Sequence, residues 1–282
     1  MNFHRQPHTY VGQVNLKVAN LDRALTFYQE VIGFQILQQS ENRVELTANG
    51  KNPLLTIEKP ENITPKQRNT TGLYHFALLL PNRSDLGRFL QHLYKLNYPF
   101  GASDHYVSEA IYLSDPEGNG IEIYVDRPSS TWDWKNGEVE MATAPLERQH
   151  VLAAGKGVPW NRLPSATLLG HIHLQVSELQ MVEEFYCKGL GFDVVNRYGS
   201  QALFISSGGY HHHIGLNTWA GVGAPPPTEN SAGLHWFELI LPNEESINKV
   251  VKQLREIGAL VSQENDVYIA KDPSGNEVHL QL

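Results

Sequence analysis

Cysteine is nearly missing from this 282-residue chain: Cys187 is the only one, so no intrachain disulfide can form, which fits the reducing cytoplasm. It sits in "EEFYCKGLGF", at helical spacing among apolar residues, where a buried structural thiol is the expected role. Positive charge is also scarce. Lys and Arg number 22 against 30 Asp and Glu, a formal net charge of -8. Phosphate binding needs clustered cations, so this balance argues against a nucleic-acid partner. No apolar run approaches the roughly 18–20 residues of a membrane helix. The opening "MNFHRQPHTY" lacks the apolar stretch of a signal peptide. Hydrophobic residues are not lacking: at 41% they suffice for a packed core, and the length suggests two domains or one large one.

What is present is repetition. "GQVNLKVANLDRALTFYQEVIGF" (12–34) aligns without a gap with "GHIHLQVSELQMVEEFYCKGLGF" (170–192). A second pair matches as well, "GLYHFALLLPN" (72–82) with "GLHWFELILPN" (233–243), and each is followed by a helical stretch and then "DPEGN" (115–119) or "DPSGN" (272–276). The chain is a duplicated pair of units, beginning near residues 12, 72, 170 and 233.

Every unit has one local grammar. A short alternating strand comes first, then an amphipathic helix such as the stripe Leu179, Val182, Phe185 and Tyr186, closed by Gly189 and Gly191. Further strands follow, with a "DPxGN" turn before the last in units two and four. The unit is β-α-β-β-β, with the helix on one face of its sheet. The other face needs a partner unit, and two curved sheets facing each other would enclose a cavity. The division is 9–126 and 166–282, each a pair of units, around a linker at 127–165. That linker is rich in Pro, Gly and polar residues, with one short helix expected over 145–154 and with Trp132 and Trp134 pinning it to a surface.

Strand alternation separates the two faces of each sheet. In "HIHLQV" the apolar residues lie under the helix, which turns His171, His173 and Gln175 towards the cavity. In "HFALLL" the same reasoning turns His75 inward, and in "GIEIYV" it turns Glu122 and Tyr124 inward. A carboxylate and histidines on an inward face bear a desolvation cost unless something compensates it. A divalent metal is the expected compensator. Two imidazoles and one carboxylate form the ligand set of non-haem Fe(II) oxygenases, and they leave positions open for substrate and O2. A lone inward histidine is more often a hydrogen-bonded core residue; recurrence at equivalent strand positions of repeated units favours the ligand role.

The repeat, the first-strand His, the "FY…GF" helix end and "DPxGNxxE" resemble the vicinal oxygen chelate superfamily, which includes glyoxalase I, antibiotic-resistance proteins and extradiol ring-cleaving dioxygenases. Four units in one chain, with "GGYHHHIGLNTW" in the third, most resemble its catechol 2,3-dioxygenase branch. The resemblance implies an α+β fold of four βαββ(β) modules paired into two domains, with curved mixed sheets enclosing a metal cavity. It also implies metal ligands at a first-strand His of one module and a first-strand His plus last-strand Glu of its partner. Those places hold Gln13 in module one, His75 and Glu122 in module two, His171 in module three, and His235 with His279 in module four. Three pairings stay open: His171 with His235 and His279; Gln13 with His75 and Glu122; or His171 with His75 and Glu122. Module order is permuted within the superfamily, and the last pairing alone gives a complete two-His, one-carboxylate set, so it is preferred.

The resemblance assigns further roles. Extradiol enzymes carry an acid–base His at the entrance to the last strand of module three, and imidazole suits proton exchange near neutral pH. Family register points to His212, alternation against Ile214 and Leu216 points to His213, and His211 is left as a solvated or hydrogen-bonded neighbour. Tyr112, ten residues before Glu122, matches a supporting catalytic Tyr. His105 and His173 would orient substrate, while Tyr124 and Trp219 would form an aromatic wall. The implied activity is Fe(II)-dependent extradiol cleavage of a small aromatic diol with O2, with Mn(II) or another divalent metal as alternatives. A glyoxalase-like isomerase or lyase and a non-catalytic small-ligand module are the competing readings. No nucleic-acid or membrane partner is expected, and exposed sheet edges make a homodimer the expected assembly, in the cytoplasm.

Overall fold

The computed structural model of the chain describes residues 3–282. Each module has the expected order. Module one runs Tyr10–Lys17, helix Leu21–Phe27, then Gln35–Gln39, Arg43–Thr47 and Leu55–Glu58. Module two runs Gly72–Leu79, helix Arg83–Leu96, then Gly101–Asp104, Ser108–Ser114 and Gly120–Asp126. Module three runs Leu168–Gln175, helix Leu179–Glu183, then Asp193–Tyr198, Ala202–Ser206 and Ile214–Asn217. Module four runs Gly233–Ile240, helix Glu244–Glu256, then Val261–Glu264, Val267–Lys271 and Glu277–Gln281.

Local chemistry explains these boundaries. Asn20, Asn82 and Asn243 stand in extended backbone just before their helices and accept from an amide three residues on, so the repeated "LPN" is a strand end followed by a helix cap. Gly33, with φ +97°, ends the helical segment of module one, where a β-carbon would also strike the backbone of Arg162. The two most conspicuous repeated motifs turn out to be partners. Asp115 accepts amide hydrogens from Glu117 and Asn119 at 2.9 and 2.8 Å, closing its turn, and the hydroxyl of Tyr28 donates to its other oxygen at 2.7 Å. Asp272 repeats the arrangement with Ser274, Asn276 and Tyr186. The "FY" of one module is thus tied to the "DPxGN" turn of the next.

Two curled mixed sheets result. One, the outer sheet, places the strands of modules four and one side by side, and the other, the inner sheet, those of modules two and three. Each half of the sequence, 9–126 or 166–282, gives one module to each sheet, so the halves describe chain duplication and not sheet pairing. The modules of a pair do not face each other as separate sheets. They join edge to edge through antiparallel first strands, Gly72–Leu79 with Leu168–Gln175 and Tyr10–Lys17 with Gly233–Ile240. This satisfies the backbone groups an exposed first strand would leave unpaired and places the strands of His75 and His171 next to one another.

The core lies between sheets and helices. Phe76, Leu78, Leu80, Ile121 and Ile123 pack in one cluster with Leu86, Phe89, Leu90 and Leu93 of the module two helix. The connection between halves is more structured than a linker: Ala144–Pro145 extends the inner sheet beside Gly101–Asp104, and a helix forms at Arg148–Ala154. Trp132 is buried, stacked on Phe3, whereas Trp134 is 40% exposed on a short ribbon paired with Glu138–Val139. No helix among the described residues is long and apolar enough to cross a membrane.

Candidate metal centre and its cavity

Register brings three polar side chains to one point. His171 pairs with Ala77 across the central strands, and Ala77 pairs with Glu122 on the following strand, so a small residue separates the two. His75 lies two residues before Ala77 on the same face. The result is compact: His171 Nε2 is 2.9 Å and His75 Nε2 3.0 Å from Glu122 Oε2, and the two Nε2 atoms are 3.4 Å apart. An ion bound at about 2.1 Å with ligands at right angles separates neighbouring donors by about 3 Å, so this triangle fits one face of a six-coordinate ion. It is the one cluster of three metal-ligating side chains among the described residues.

Electrostatics favours the same state. Burial alone would raise the Glu122 carboxyl, but His171 and His75 outweigh it and hold the group well below the usual range. Burial pushes His171 down to about 4 against the pull of Glu122, leaving a neutral imidazole, the form that binds metal. No hydrogen bond fixes His171 Nδ1; packing does, with the rings of Tyr124 at 4.9 Å and His212 at 4.1 Å.

A cavity of about 300 Å³ opens beside this cluster. Tyr112 and His105 line one side: the Tyr112 hydroxyl and His105 Nε2 are 2.6 Å apart, and His105 Nδ1 donates to the carbonyl of Ala142 at 2.6 Å. Burial and the Glu122 carboxylate raise the Tyr112 pKa well above its ordinary value, so this phenol remains a donor. His173 forms the opposite side among Tyr74, Phe204 and Trp219, with its Nε2 unpartnered. Its ring lies against Gly215, where any β-carbon would approach to 2.8 Å. His212 also lines the cavity, and no Lys or Arg does among the described residues.

Several expectations need correction. His213 does not face the cavity: it accepts from the Ser207 amide at 3.1 Å, donates to the Phe3 carbonyl at 3.1 Å, and is fully buried. The strand begins only at Ile214, so its alternation cannot be carried back into the run. Tyr124 is no wall residue; its hydroxyl bonds Tyr210 at 2.6 Å and its ring supports His171 from behind. His235 is one residue out of register with His75, whose counterpart is Trp236, and it pairs outside with Glu58. His279 belongs to the other sheet, stacked on Trp236. The ligand positions of modules three and four are therefore not brought together, and neither is Gln13 with His75. Sequence reasoning missed Phe204, Asn196 and Met141–Thr143 on the cavity wall. The connection carries no periodicity that could have announced 141–143.

With the geometry in place, comparison with known proteins gives the following. A model of the glyoxalase/bleomycin resistance protein/dioxygenase superfamily matches twice, over residues 10–123 and 168–280. The chain is 44% identical over 268 residues, 94% of either sequence, to a Bacillus subtilis protein named catechol-2,3-dioxygenase. It is 26% identical over 129 residues, 44% of this chain and 68% of the other, to the biphenyl-2,3-diol 1,2-dioxygenase 3 of Rhodococcus globerulus. The crystal structure of glyoxalase I from Zea mays shares the fold, with a TM-score of 0.59 at 16% identity over 96% of this chain and 92% of that one.

Proposed function

Because the chain belongs to the glyoxalase/bleomycin resistance protein/dioxygenase superfamily, we propose that it is an Fe(II)-dependent extradiol dioxygenase that opens the ring of a catechol-type diol with O2. The observation that carries this reading is the convergence of His75, His171 and Glu122 within 3.4 Å of one another at the wall of an aromatic-lined cavity. A divalent ion held there with its remaining positions open would chelate the diol and link its electrons to O2.

The chain's own residues do the rest. Tyr74, Phe204 and Trp219 hold the ring, and His173 Nε2 offers a hydrogen-bonding atom at its edge. His212 receives a hydroxyl proton: burial, reinforced by His171 beside it, keeps its pKa well below the ordinary value, so it starts uncharged and able to accept. Tyr112, whose hydroxyl donates to His105 Nε2, positions that histidine at the cavity wall beside the substrate. Both atoms of O2 end in the ring-opened semialdehyde. The glyoxalase-like alternative gives His212 no task. Anaerobic loading with Fe(II), followed by catechol and O2, should yield a yellow product with one O2 consumed per ring. Protein that binds the metal but consumes no O2 with any catechol overturns the reading.

A further inference from the structure

Ring opening gives a task to one histidine of the run, and the fold holds another. His211 is left. It is fully buried, yet both of its nitrogens are engaged: Nε2 lies 2.8 Å from Asp126 Oδ1 and Nδ1 lies 2.9 Å from Nδ1 of His212. Its ring is clamped by Tyr210 at 4.0 Å and Trp132 at 5.2 Å, so this orientation is fixed by packing.

Asp126 is placed by the strand that supplies Glu122. Residues 122, 124 and 126 lie on one face of Gly120–Asp126, so the metal-facing carboxylate, the Tyr124 phenol and the Asp126 carboxylate form a row. Tyr124 donates to the Tyr210 hydroxyl at 2.6 Å, and Tyr210 donates to Asp126 Oδ1 at 3.2 Å, fixing the same oxygen that meets His211.

Hydrogen-bond polarity then runs one way. A carboxylate oxygen only accepts, so the hydrogen in the first contact sits on His211 Nε2. Taken as a neutral imidazole with its one N–H on Nε2, His211 has a bare Nδ1 that accepts. The hydrogen between the rings therefore belongs to Nδ1 of His212, which leaves Nε2 of His212 as a lone pair at the cavity wall. We propose that Asp126 and His211 are positioning residues that lock His212 in its Nδ1–H tautomer, so that Nε2 is ready to take the substrate proton. This rests on the reading of His212 as the proton acceptor. It also accounts for three adjacent imidazoles: one accepts the proton, one fixes the tautomer, one anchors the N-terminal segment.

The test is a tautomer measurement on protein carrying ¹⁵N-labelled histidine and loaded with Zn(II), which is diamagnetic and performs no O2 chemistry. Long-range ¹H–¹⁵N correlations should find His211 protonated on Nε2 alone and His212 on Nδ1 alone. In Asp126→Leu, His212 should become a mixture of both tautomers. A hydrogen on His212 Nε2 in the unaltered protein, two on His211, or an unchanged tautomer in Asp126→Leu overturns the proposal. The first two outcomes need no variant, so misfolding cannot hide the answer. In the Fe(II)-loaded protein Asp126→Leu should lower kcat about 10- to 100-fold with KM held within about twofold, because binding is untouched while the acceptor is misoriented. An unchanged kcat also overturns it. If the unaltered protein turns over no catechol, ring cleavage fails while the tautomer measurement still decides this point.

Discussion

The inner and outer sheets share strand order, and their modules share sequence motifs, yet their concave faces hold opposite chemistries. Where the inner sheet has His171, His75 and Glu122, the outer sheet has Gln13, Trp236 and His279. In the inner sheet three donors are drawn together and Ala77 keeps the space between them clear. In the outer sheet the counterpart of Ala77 is Glu238, Trp236 stacks on His279 at 4.3 Å, and Gln13 donates to Thr56 at 2.6 Å. The register in which Gly215 corresponds to Thr56 also sets Asn52, Pro53 and Leu54 where His211, His212 and His213 stand. No imidazole stands at those places. One scaffold can thus gather three metal-ligating side chains or disperse them, and the difference is a handful of side chains on strands of unchanged pairing.

The widest separation between the two sheets should come from removing one histidine in each. His75→Ala should abolish metal retention, read by elemental analysis after dialysis, and lower catechol turnover by at least about 10³-fold. His279→Ala should leave metal content and turnover within about twofold. Equal losses from the two substitutions would erase the functional distinction.

The sequence made much of this visible because the repeats carry their own controls. Alternation in "HIHLQV" and "GIEIYV" was enough to turn His171, His173 and Glu122 to one face, because those strands are regular at these positions. The inner pairing could be chosen because only it completes a ligand set. Alternation failed at His213, where no strand yet exists to alternate, and at Tyr124, which has the right face but lies a residue pair beyond the cavity and meets Tyr210 instead. Edge-to-edge joining and the Tyr28–Asp115 tie are long-range facts, and no local spacing encodes them.

A smaller effect follows from importing an outer residue into the inner sheet. Gly215→Thr places the side chain found at Thr56 against the His173 ring, where a β-carbon already comes within 2.8 Å of it. Backbone at Gly215 lies outside the left-handed region, so the strain is steric. The cost should be about 1–3 kcal/mol in denaturant unfolding, with KM for catechol raised about tenfold as His173 is displaced into the cavity. Unchanged unfolding and KM would mean that His173 does not depend on this contact.

The subtlest contrast is electrostatic and belongs to the outer sheet alone. Burial lifts Glu238 from its ordinary 4.5 to about 7, against the pull of His279, and no paired histidines reverse the effect as His171 and His75 do for Glu122. A carboxyl with a raised folded-state pKa favours the protonated form in the fold, so its contribution is intact below pH 4.5 and is lost as pH rises through about 7. Glu238→Gln removes that loss. The variant should match the unaltered protein in unfolding free energy at pH 4.5 and exceed it by about 2 kcal/mol at pH 8, a reduced figure because water still reaches part of this side chain. Catechol turnover should not move. A stability gain equal at both pH values would show that Glu238 is disfavoured by packing and not by its charge, and the electrostatic contrast between the two sheets would rest on the inner one only.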